Sequence, residues 1–449
     1  MTRRHLGSAA LAVLVASAGL AGCSGGGSNP GSTGGAATEV TVWDRAGAEA
    51  KSRQAFFQKW NADQGKQLGI AVKYEPQATE KYEELVRLGF QTKRAPDVFH
   101  APSAQMGGFV SAGWVQPLKN VVSSKVLDDA AAYLKPSSEL SWGGKAYGVP
   151  STTFTIRLFY NKDLFKKAGI NKPPATFSEV EAAAKAITES SPGAAYGVGL
   201  PAKWVGFRQW IVDVPAMAAD KDLAQNGLFN RSTGKFESVK YEPVVKHYRT
   251  LIEKGWAYPG ASTLDFDTEV AAFGAGKIGM MTQSSSVAGV LQQLGSKVDV
   301  GVADIPVPDG TKEVRSPMNA GFPFAIASTT KHPEQSAKVF EALVGADMQI
   351  ALAAGGTTPL SEAAWNSAEA KKNPLLQLLK PGTLDEQWPK NPGGVIAVEG
   401  AKSDDTVKKL ILDPSSDIQA ELSSLSQRDQ AGYDAGVKNK TIDAKEFTG

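Results

Sequence analysis

Three stretches near the start of the chain decide the fold: residues 39–43 (EVTVW), 50–60 (AKSRQAFFQKW) and 70–74 (IAVKY). The first alternates apolar and polar side chains with a period of two, which predicts a strand, and the third predicts a second strand. The middle stretch places its aromatic residues at helical spacing, which predicts a helix between the two strands.

The pattern continues with a second helix and a third strand. The helix begins at Thr79, residues 97–99 form the strand, and the helix carries four apolar residues on one face (Tyr82, Leu85, Val86 and Phe90). This strand-helix order predicts a parallel sheet covered by helices, and therefore an α/β fold. Residues 176–179 (TFSE) form a capping box that opens a later helix, and Pro333 takes a first-turn position in another.

The composition is that of a globular protein, with 449 residues, 42% of them apolar, 8% aromatic and 21% charged. At roughly 150 residues per domain, this length predicts two or three domains. The formal charge of +2 depends on Arg3 and Arg4, because without them the 48 basic residues become 46 and equal the 46 acidic ones. A neutral chain has no general attraction to nucleic acid, so we expect no nucleic-acid partner.

The first residues are typical of an export signal. Arg3 and Arg4 precede an uncharged stretch, residues 6–22 (LGSAALAVLVASAGLAG), which is too short and too rich in Ala and Gly for a stable membrane span. Residues 20–23 (LAGC) resemble a bacterial lipobox and end in Cys23, the single cysteine of the chain. One cysteine excludes a disulfide framework and a thiolate metal cluster, and its position predicts lipidation.

A Gly/Ser tether follows, residues 24–37 (SGGGSNPGSTGGAA). We therefore expect a signal peptide at 1–22 and a lipid-anchored tether at 23–38, which hold the protein on the outer face of the bacterial cytoplasmic membrane. Two alternatives stay open. The cysteine could be incidental to a plain signal peptide, and residues 2–6 (TRRHL) resemble the start of a twin-arginine signal.

Motifs of enzyme chemistry do not occur. The sequence has no G-x-S-x-G, no H-E-x-x-H, no G-x-x-x-x-G-K-[ST] and no G-x-G-x-x-G that opens a helix after a strand. His247 and His332 are predicted at a helix surface and a helix start, and His100 follows a strand. The acids of residues 265–269 (DFDTE) are interpreted as solvated residues at a helix N-terminus rather than as a metal site. We predict no catalysis, no metal and no cofactor.

Five short motifs occur in a fixed order. They lie in residues 95–98 (APDV), 147–150 (YGVP), 159–170 (FYNKDLFKKAGI), 173–179 (PPATFSE) and 271–281 (AAFGAGKIGMM). Together they resemble extracellular solute-binding proteins, family 1, over about residues 39–360, whereas residues 374–449 match less well. The resemblance implies a bilobed fold, two α/β lobes joined by hinge crossovers around a ligand cleft. It also implies a monomer that binds a carbohydrate and delivers it to the permease of an ABC importer.

In that fold the chain crosses between the lobes more than once. We expect the crossings near residues 150–154, 315–322 and 358–359. The first lobe would then comprise 39–152 with 316–358, and the second 153–315 with 359–449. Hinge closure around the ligand is the expected motion.

Ligands of open α/β sheets bind beyond the carboxyl ends of the strands. By this rule the first lobe offers Trp43, Asp44, Glu80, His100 and Ser103. The second lobe and the crossings offer Phe154, Trp204, Phe207, Gln283, Ser284, Asn319, Phe322 and Thr357. Such a set suits sugars, because their C–H faces stack on aromatic rings and their hydroxyls need donors and acceptors.

The other tryptophans weighed as ligand contacts can also be explained by packing. Trp60 and Trp210 occur at helical apolar spacing and are predicted to pack in the core or on the lobe surface. Trp256 follows a helix end and is interpreted as a surface plug. Trp388 could reach the cleft or cap its lobe, and we favour the cap. Trp204 lies in a loop and fits a stacking platform and a packing role equally well.

Other functions are weighed against the sugar receptor. The same receptor class could take a polyamine, a metal chelate or a phosphorylated polyol. A secreted lipoprotein glycosidase needs two carboxylates that converge across a pocket. An adhesin or surface scaffold would show an exposed patch and no cleft.

Overall fold

The computed structural model describes residues 36–448, so the predicted signal peptide and Cys23 lie outside the described residues. Within that range the strands are β1 (Thr38–Arg45), β2 (Ile70–Gln77), β3 (Val98–His100), β4 (Ser141–Trp142), β5 (Lys145–Ala146), β6 (Val149–Phe154), β7 (Ile156–Asn161), β8 (Tyr196–Val198), β9 (Leu223–Ala224), β10 (Phe229–Asn230), β11 (Lys235–Phe236), β12 (Ile278–Ser284), β13 (Val300–Ala303), β14 (Ser316–Ile326) and β15 (Asp385–Gln387).

The α-helices of the same range are α1 (Ala48–Trp60), α2 (Lys66–Leu68), α3 (Tyr82–Gln91), α4 (Met106–Ser111), α5 (Ser124–Asp129), α6 (Lys162–Lys167), α7 (Phe177–Ser190), α8 (Asp213–Ala219), α9 (Glu242–Glu253), α10 (Phe266–Gly274), α11 (Val287–Gln293), α12 (Pro333–Val344), α13 (Ala346–Ala354), α14 (Glu362–Trp365), α15 (Ala368–Lys371), α16 (Pro374–Gln377), α17 (Ser403–Leu412) and α18 (Ile418–Lys438). Short 3-10 or π-helical turns join several of them, among them Ser103–Gln105, Phe207–Val212 and Pro392–Gly394.

The larger sheet in the described range has six strands in the order β15-β14-β3-β1-β2, with β6 also paired to β14. β1 pairs in parallel with both β2 and β3, so the parallel sheet predicted from the first three strands is confirmed. β14 runs antiparallel to β3 and β6 and parallel to β15. We call this sheet and the helices that cover it the six-stranded half.

Both faces of this sheet are buried, because successive strand residues alternate between them. Val42 and Val98 pack on one face against Phe340 of α12. Phe99, the next residue of β3, packs on the other face against Tyr82 of α3. The helices at α1, α3, α7 and α12 therefore form where the apolar spacing predicts them.

A second, smaller sheet has four strands, in the order β13-β7-β12-β8, and two short sheets, β11-β10-β9 and β4-β5, also occur in the described range. Leu158 and Met280 pack on one of its faces with α7 and α9, and Phe159 and Met281 pack on the other with α10 and α11. We call this sheet and its helices the four-stranded half. The chain passes from β6 of the larger sheet to β7 of the smaller one across the single residue Thr155.

Two expectations about polar residues are wrong. His247 is buried rather than at a helix surface, because its ring stacks on Phe177 with centroids 4.2 Å apart. Asp265 caps α10 through the Thr268 N–H, as interpreted, but Glu269 is fully buried and accepts from Gln283 at 2.8 Å. Burial raises the pKa of Glu269 to about 8, and the bond from Gln283 only partly offsets it.

Candidate functional site

A row of aromatic rings lies beside the strand crossing. Trp210 is at its centre, with ring centroids 5.9 Å from Phe154, 4.8 Å from Trp388 and 6.4 Å from Trp204. Phe266, the first residue of α10, lies 5.3 Å from Trp204. We call these five residues the aromatic row. Phe154 and Trp388 are buried, whereas Trp204 and Trp210 keep part of their rings in contact with solvent.

The turn that carries Trp210 is π-helical rather than α-helical. Phe207–Val212 buries Phe207 and Ile211 in the core of the four-stranded half and leaves Gln209 and Trp210 half-buried. Extra residues in a helical turn rotate the side chains that follow, and such turns are frequent at functional sites. The ring of Trp210 therefore points towards the aromatic row, and only part of it is buried in the core.

A polar cluster lies next to this turn. The Glu139 carboxyl accepts from Gln225 Nε2 at 2.7 Å, from Asn391 Nδ2 at 3.1 Å and from the Ser103 hydroxyl. Gln209 Nε2 donates to Gln225 Oε1 at 2.7 Å, so the residue beside Trp210 joins the cluster. We call these five residues the Glu139 cluster. Burial raises the pKa of Glu139 to about 7 although the surrounding donors and Lys390 oppose the shift.

The crossing itself is fastened by a buried ion pair. Arg157 of β7 donates to both carboxylate oxygens of Asp385 in β15, at 2.8 and 2.6 Å. β7 belongs to the smaller sheet and β15 to the larger one, so this two-point bond joins the halves. Thr155 adds a second tie, because its hydroxyl donates to the Leu379 carbonyl at 3.0 Å.

The end of β1 holds a second buried charge. Asp44 accepts from Arg53 at 2.9 Å and from the Tyr74 hydroxyl at 2.6 Å, and both charged side chains are 0% exposed. Arg53 also donates to Ser151 at 2.8 Å. Burial and then the charge of Asp44 raise the pKa of Tyr74. These partners all belong to the six-stranded half.

Most candidates of the first lobe collect around the ends of β1 and β3. The Tyr82 hydroxyl donates to the carbonyls of Trp43, at 3.2 Å, and His100, at 2.8 Å, and so holds the two strand ends together. Trp43 Nε1 donates to Glu75 at 2.8 Å. Burial, followed by the charges of Arg45 and Arg53, lowers the pKa of His100. Asp44 has the partners given above, and Ser103 belongs to the Glu139 cluster.

The structure describes only the backbone of Glu80 and Phe322. Glu80 lies in the 3-10 turn Thr79–Lys81 before α3, and Phe322 lies within β14. Their roles as ligand contacts stay predictions.

The candidates of the second lobe and the crossings divide into two groups. Phe154 and Trp204 belong to the aromatic row, and Asn319 pairs with Phe154 across β14 and β6. Phe207 is fully buried in the core and lies beneath this site. Gln283 and Ser284, at the end of β12, are buried with bonds to Glu269 and Ser286.

Thr357 lies before the third expected crossing and is also buried. Its neighbour Thr358 bonds to Ser285 at 2.8 Å and to the Thr153 carbonyl. The strand ends of both sheets therefore meet at these hydroxyls. Ligand contact by each of these residues stays a prediction.

Sequence reasoning missed six residues of the aromatic row and the Glu139 cluster: Glu139, Gln209, Trp210, Gln225, Phe266 and Asn391. Glu139 lies 86 residues from Gln225 and 252 from Asn391 along the chain, so no local pattern could connect them. Trp388, interpreted as a cap on its lobe, also contacts the ring of Trp210 and so belongs to the aromatic row. Its indole N–H is buried without a hydrogen-bond partner.

Several cavities open elsewhere on the surface. One of about 690 Å³ is lined by Lys162, Asp299, Leu375 and neighbours, and one of about 660 Å³ by Phe56, Trp60, Ile350 and neighbours. None of the candidate ligand residues lines either cavity. Across residues 36–448, no group of three or more His, Cys, Asp or Glu side chains could hold a metal ion. A helix long and apolar enough to cross a membrane is likewise not found within this range.

Most of the chain matches a known protein family. The family described as bacterial extracellular solute-binding protein matches residues 47–350. A binding protein of Brucella abortus is 28% identical over 242 residues, 53% of this chain and 56% of the relative, so the chain spans just over half the length of that relative. Maltodextrin-binding protein MdxE of Bacillus subtilis is 29% identical over 384 residues, 82% and 84% of the two chains.

Solved structures share the fold. Maltose-bound MalE3 of T. maritima superposes with a TM-score of 0.73 at 17% identity, over 88% of this chain and 100% of that one. At this identity the likeness shows the fold alone. The predicted α/β class with two lobes is thereby confirmed, and the exact division of residues between the lobes stays a prediction.

Proposed function

Because the matching family covers residues 47–350, more than half of the chain, this protein belongs to the bacterial extracellular solute-binding proteins, and we propose that it captures a carbohydrate for an ABC importer. The solute would bind between the six-stranded and the four-stranded halves. A membrane permease would then receive it. The site offers binding groups rather than a catalytic pair, so we propose a receptor and not an enzyme.

The observation that carries the sugar proposal is the aromatic row next to the Glu139 cluster. Trp204 and Trp210 offer ring faces that are partly open to solvent, and a sugar stacks its C–H face on such rings. Gln209, half-buried beside Trp210, carries an amide group, which can both donate to and accept from hydroxyls, and the fully buried Gln225 holds it in place. The combination of ring faces with planar amides suits a neutral polyhydroxylated solute better than a polyamine.

The names of two similar proteins support the same class of solute. MdxE is named a maltodextrin-binding protein, and MalE3 is described as bound to maltose. We propose a malto-oligosaccharide or a related sugar as the first solute to test.

We also propose that the chain is a lipoprotein. Residues 20–23 resemble a lipobox, and the tether of residues 24–37 would separate the folded body from the membrane. Acyl chains at Cys23 would hold the receptor near its permease on the outer face of the cytoplasmic membrane. Labelling with radioactive palmitate tests this: the wild type should incorporate label, and Cys23→Ser should not.

Isothermal titration of the full-length chain in detergent tests the function. The panel contains maltose, maltotriose, raffinose and glucose, with sn-glycerol 3-phosphate and spermidine as solutes of the alternative classes. We expect saturable heat with at least one sugar and none with the last two. Binding of sn-glycerol 3-phosphate or spermidine without any sugar would contradict the carbohydrate proposal. Release of shorter sugars during the titration would instead identify a glycosidase.

A further inference from the structure

A glycine turn lies where the two halves meet away from the crossing strands. In the turn Pro392–Gly394, a Cβ on Gly394 would lie 2.5 Å from the Ala104 carbonyl oxygen, and a Cβ on Gly393 would lie 2.5 Å from Asn226 Cβ. Ala104 belongs to the turn Ser103–Gln105 that follows β3 of the larger sheet. Asn226 follows β9, whose Leu223 packs in the core of the four-stranded half. Only glycine allows backbones to approach this closely, so the turn fills a tight seam between the halves.

Glu139 lies in this seam. Its neighbour Leu140 packs with Phe99 and Met106 in the core of the six-stranded half. Its amide partner Gln225 comes from the other side, since Leu223, two residues before it, packs in the core of the four-stranded half. Asn391 lies in the segment after β15, which pairs with Ser138 beside Glu139. The 5% exposed carboxyl therefore joins the halves through its hydrogen bond from Gln225.

The charged groups around Glu139 are few. Lys390, next to Asn391, opposes the rise of the Glu139 pKa, but its ammonium pairs with Glu446 and lies 4.5 Å from the Trp142 ring centroid. Arg208 pairs with Asp213 and reaches Asn226 rather than the carboxyl. The direct partners of Glu139 within residues 36–448 are amides and a hydroxyl, so in this part of the chain a negative charge there has no cation in contact.

Separation of the halves would change the surroundings of the carboxyl. When the two halves are in contact, burial raises the pKa of Glu139 from 4.5 to about 7. In the separated state water would solvate it, and the pKa would return towards 4.5. Closing then takes up a proton between these two pH values, so closure is favoured below about pH 5 and weakens as the pH rises through 7.

Resting on the proposed function, we propose that Glu139 is a proton-dependent latch between the halves that makes solute binding tighter in mildly acidic surroundings. Protonated, the carboxyl enters the seam as a neutral group that keeps its amide partners. Ionised, it must be buried without a cation, which favours the open receptor. The latch acts on closure, so Glu139 is a positioning residue and needs no contact with the solute.

Two measurements on the full-length chain, in the same detergent as the isothermal titration, test the latch. Titration with the sugar identified from the panel gives its Kd at pH 5.5 and pH 8. Double-label distance measurement between cysteines placed on α1 and α17 of a Cys23→Ser chain reports closure without any sugar. The wild type should bind about thirtyfold more weakly at pH 8 than at pH 5.5, because pH 5.5 lies about 1.5 pKa units below the pKa of the buried carboxyl and each unit corresponds to a factor of ten. Its halves should also be farther apart at pH 8.

Glu139→Gln should remove both pH responses and leave affinity at pH 8 close to that of the wild type at pH 5.5. Glu139→Asp, which retains a carboxyl, should keep a pH response. Asp429→Asn is the matched control, because burial also raises the pKa of Asp429, to about 6, but it lies against Gly227 within one half. This control should respond to pH as the wild type does.

The outcomes separate the latch from the proposed function. An unchanged pH response in Glu139→Gln, or its loss in Asp429→Asn as well, would overturn the latch even if sugar binds well. A pH-dependent distance that Glu139→Gln abolishes would support the latch even if no sugar binds, and the function proposal alone would then fail.

Discussion

Asp44, near the end of β1, and Glu139, shortly before β4, are both buried carboxyls, but their partners differ in kind and in origin. Asp44 contacts the guanidinium of Arg53 at 2.9 Å and the Tyr74 hydroxyl, all within the six-stranded half. Glu139 is held by amides and a hydroxyl that come from both halves. Asp44, paired with a cation of its own half, stabilises the fold of that half. Glu139, which hydrogen-bonds to both halves without such a cation among the described residues, can respond to their relative motion.

The largest expected effect comes from removing the cation that pairs with Asp44. Arg53→Met leaves the Asp44 carboxylate buried without its cation, which should lower the free energy of unfolding by about 3–5 kcal/mol. Urea denaturation followed by circular dichroism measures the change. A loss below about 1 kcal/mol would show that water reaches Asp44 in solution.

Adding Asp44→Asn to that variant provides the control. It removes the uncompensated charge, so it should restore part of the lost stability.

The next effect concerns Glu269, a third buried acid, whose amide partner Gln283 lies in the same half. Its pKa of about 8 in the folded chain exceeds the ordinary 4.5, so the folded state binds the extra proton between these values. Stability should therefore fall as the pH rises from 4.5 to 8, and Glu269→Gln should remove about 2–4 kcal/mol of that fall. Thermal melts at pH 5 and pH 8 measure it, and parallel pH profiles for the two chains would refute the assignment.

A smaller effect concerns the aromatic row beside Glu139. Trp210→Ala should weaken sugar binding about tenfold, because a lost ring contact costs about 1–1.5 kcal/mol. Trp210→Phe keeps a ring and should retain most of the affinity. Trp256, half-buried and outside the row, supplies the control. Equal losses in Trp210→Ala and Trp256→Ala would point to a general loss of stability.

The smallest effect sets the baseline for ion pairs. Lys125 and Asp129 form an exposed pair one helical turn apart in α5, with side chains 78% and 61% exposed. Lys125→Ala should change the free energy of unfolding by less than about 0.5 kcal/mol, since exposed pairs contribute little. Urea denaturation alongside Arg53→Met gives the contrast, and a change as large as that of Arg53→Met would remove the distinction between the two kinds of pair.

Local patterns were enough to predict the strand and helix order. The alternation in β1 and the apolar spacing of α3 follow from residues that are neighbours in the chain. The cap of α7 was equally readable, because Thr176 bonds to the N–H of Glu179 three residues later. Each of these features depends on one turn or one strand.

The site was less predictable, because its contacts depend on folding across long separations. Glu139 meets Gln225 and Asn391 only when both halves are built. Trp210 fits an α-helical core pattern, and the π-helical turn redirects its ring to the row. Glu269 follows an N-terminal capping box that usually faces solvent, yet its own position on α10 points into the core.

A crystal structure of the chain with the sugar that binds most tightly tests the central claim most directly. We predict the sugar between the two halves, with a ring face in van der Waals contact with Trp204 or Trp210 and its hydroxyls bonded to side chains of both halves. A sugar bound in a surface cavity of one half, with the aromatic row untouched, would contradict it.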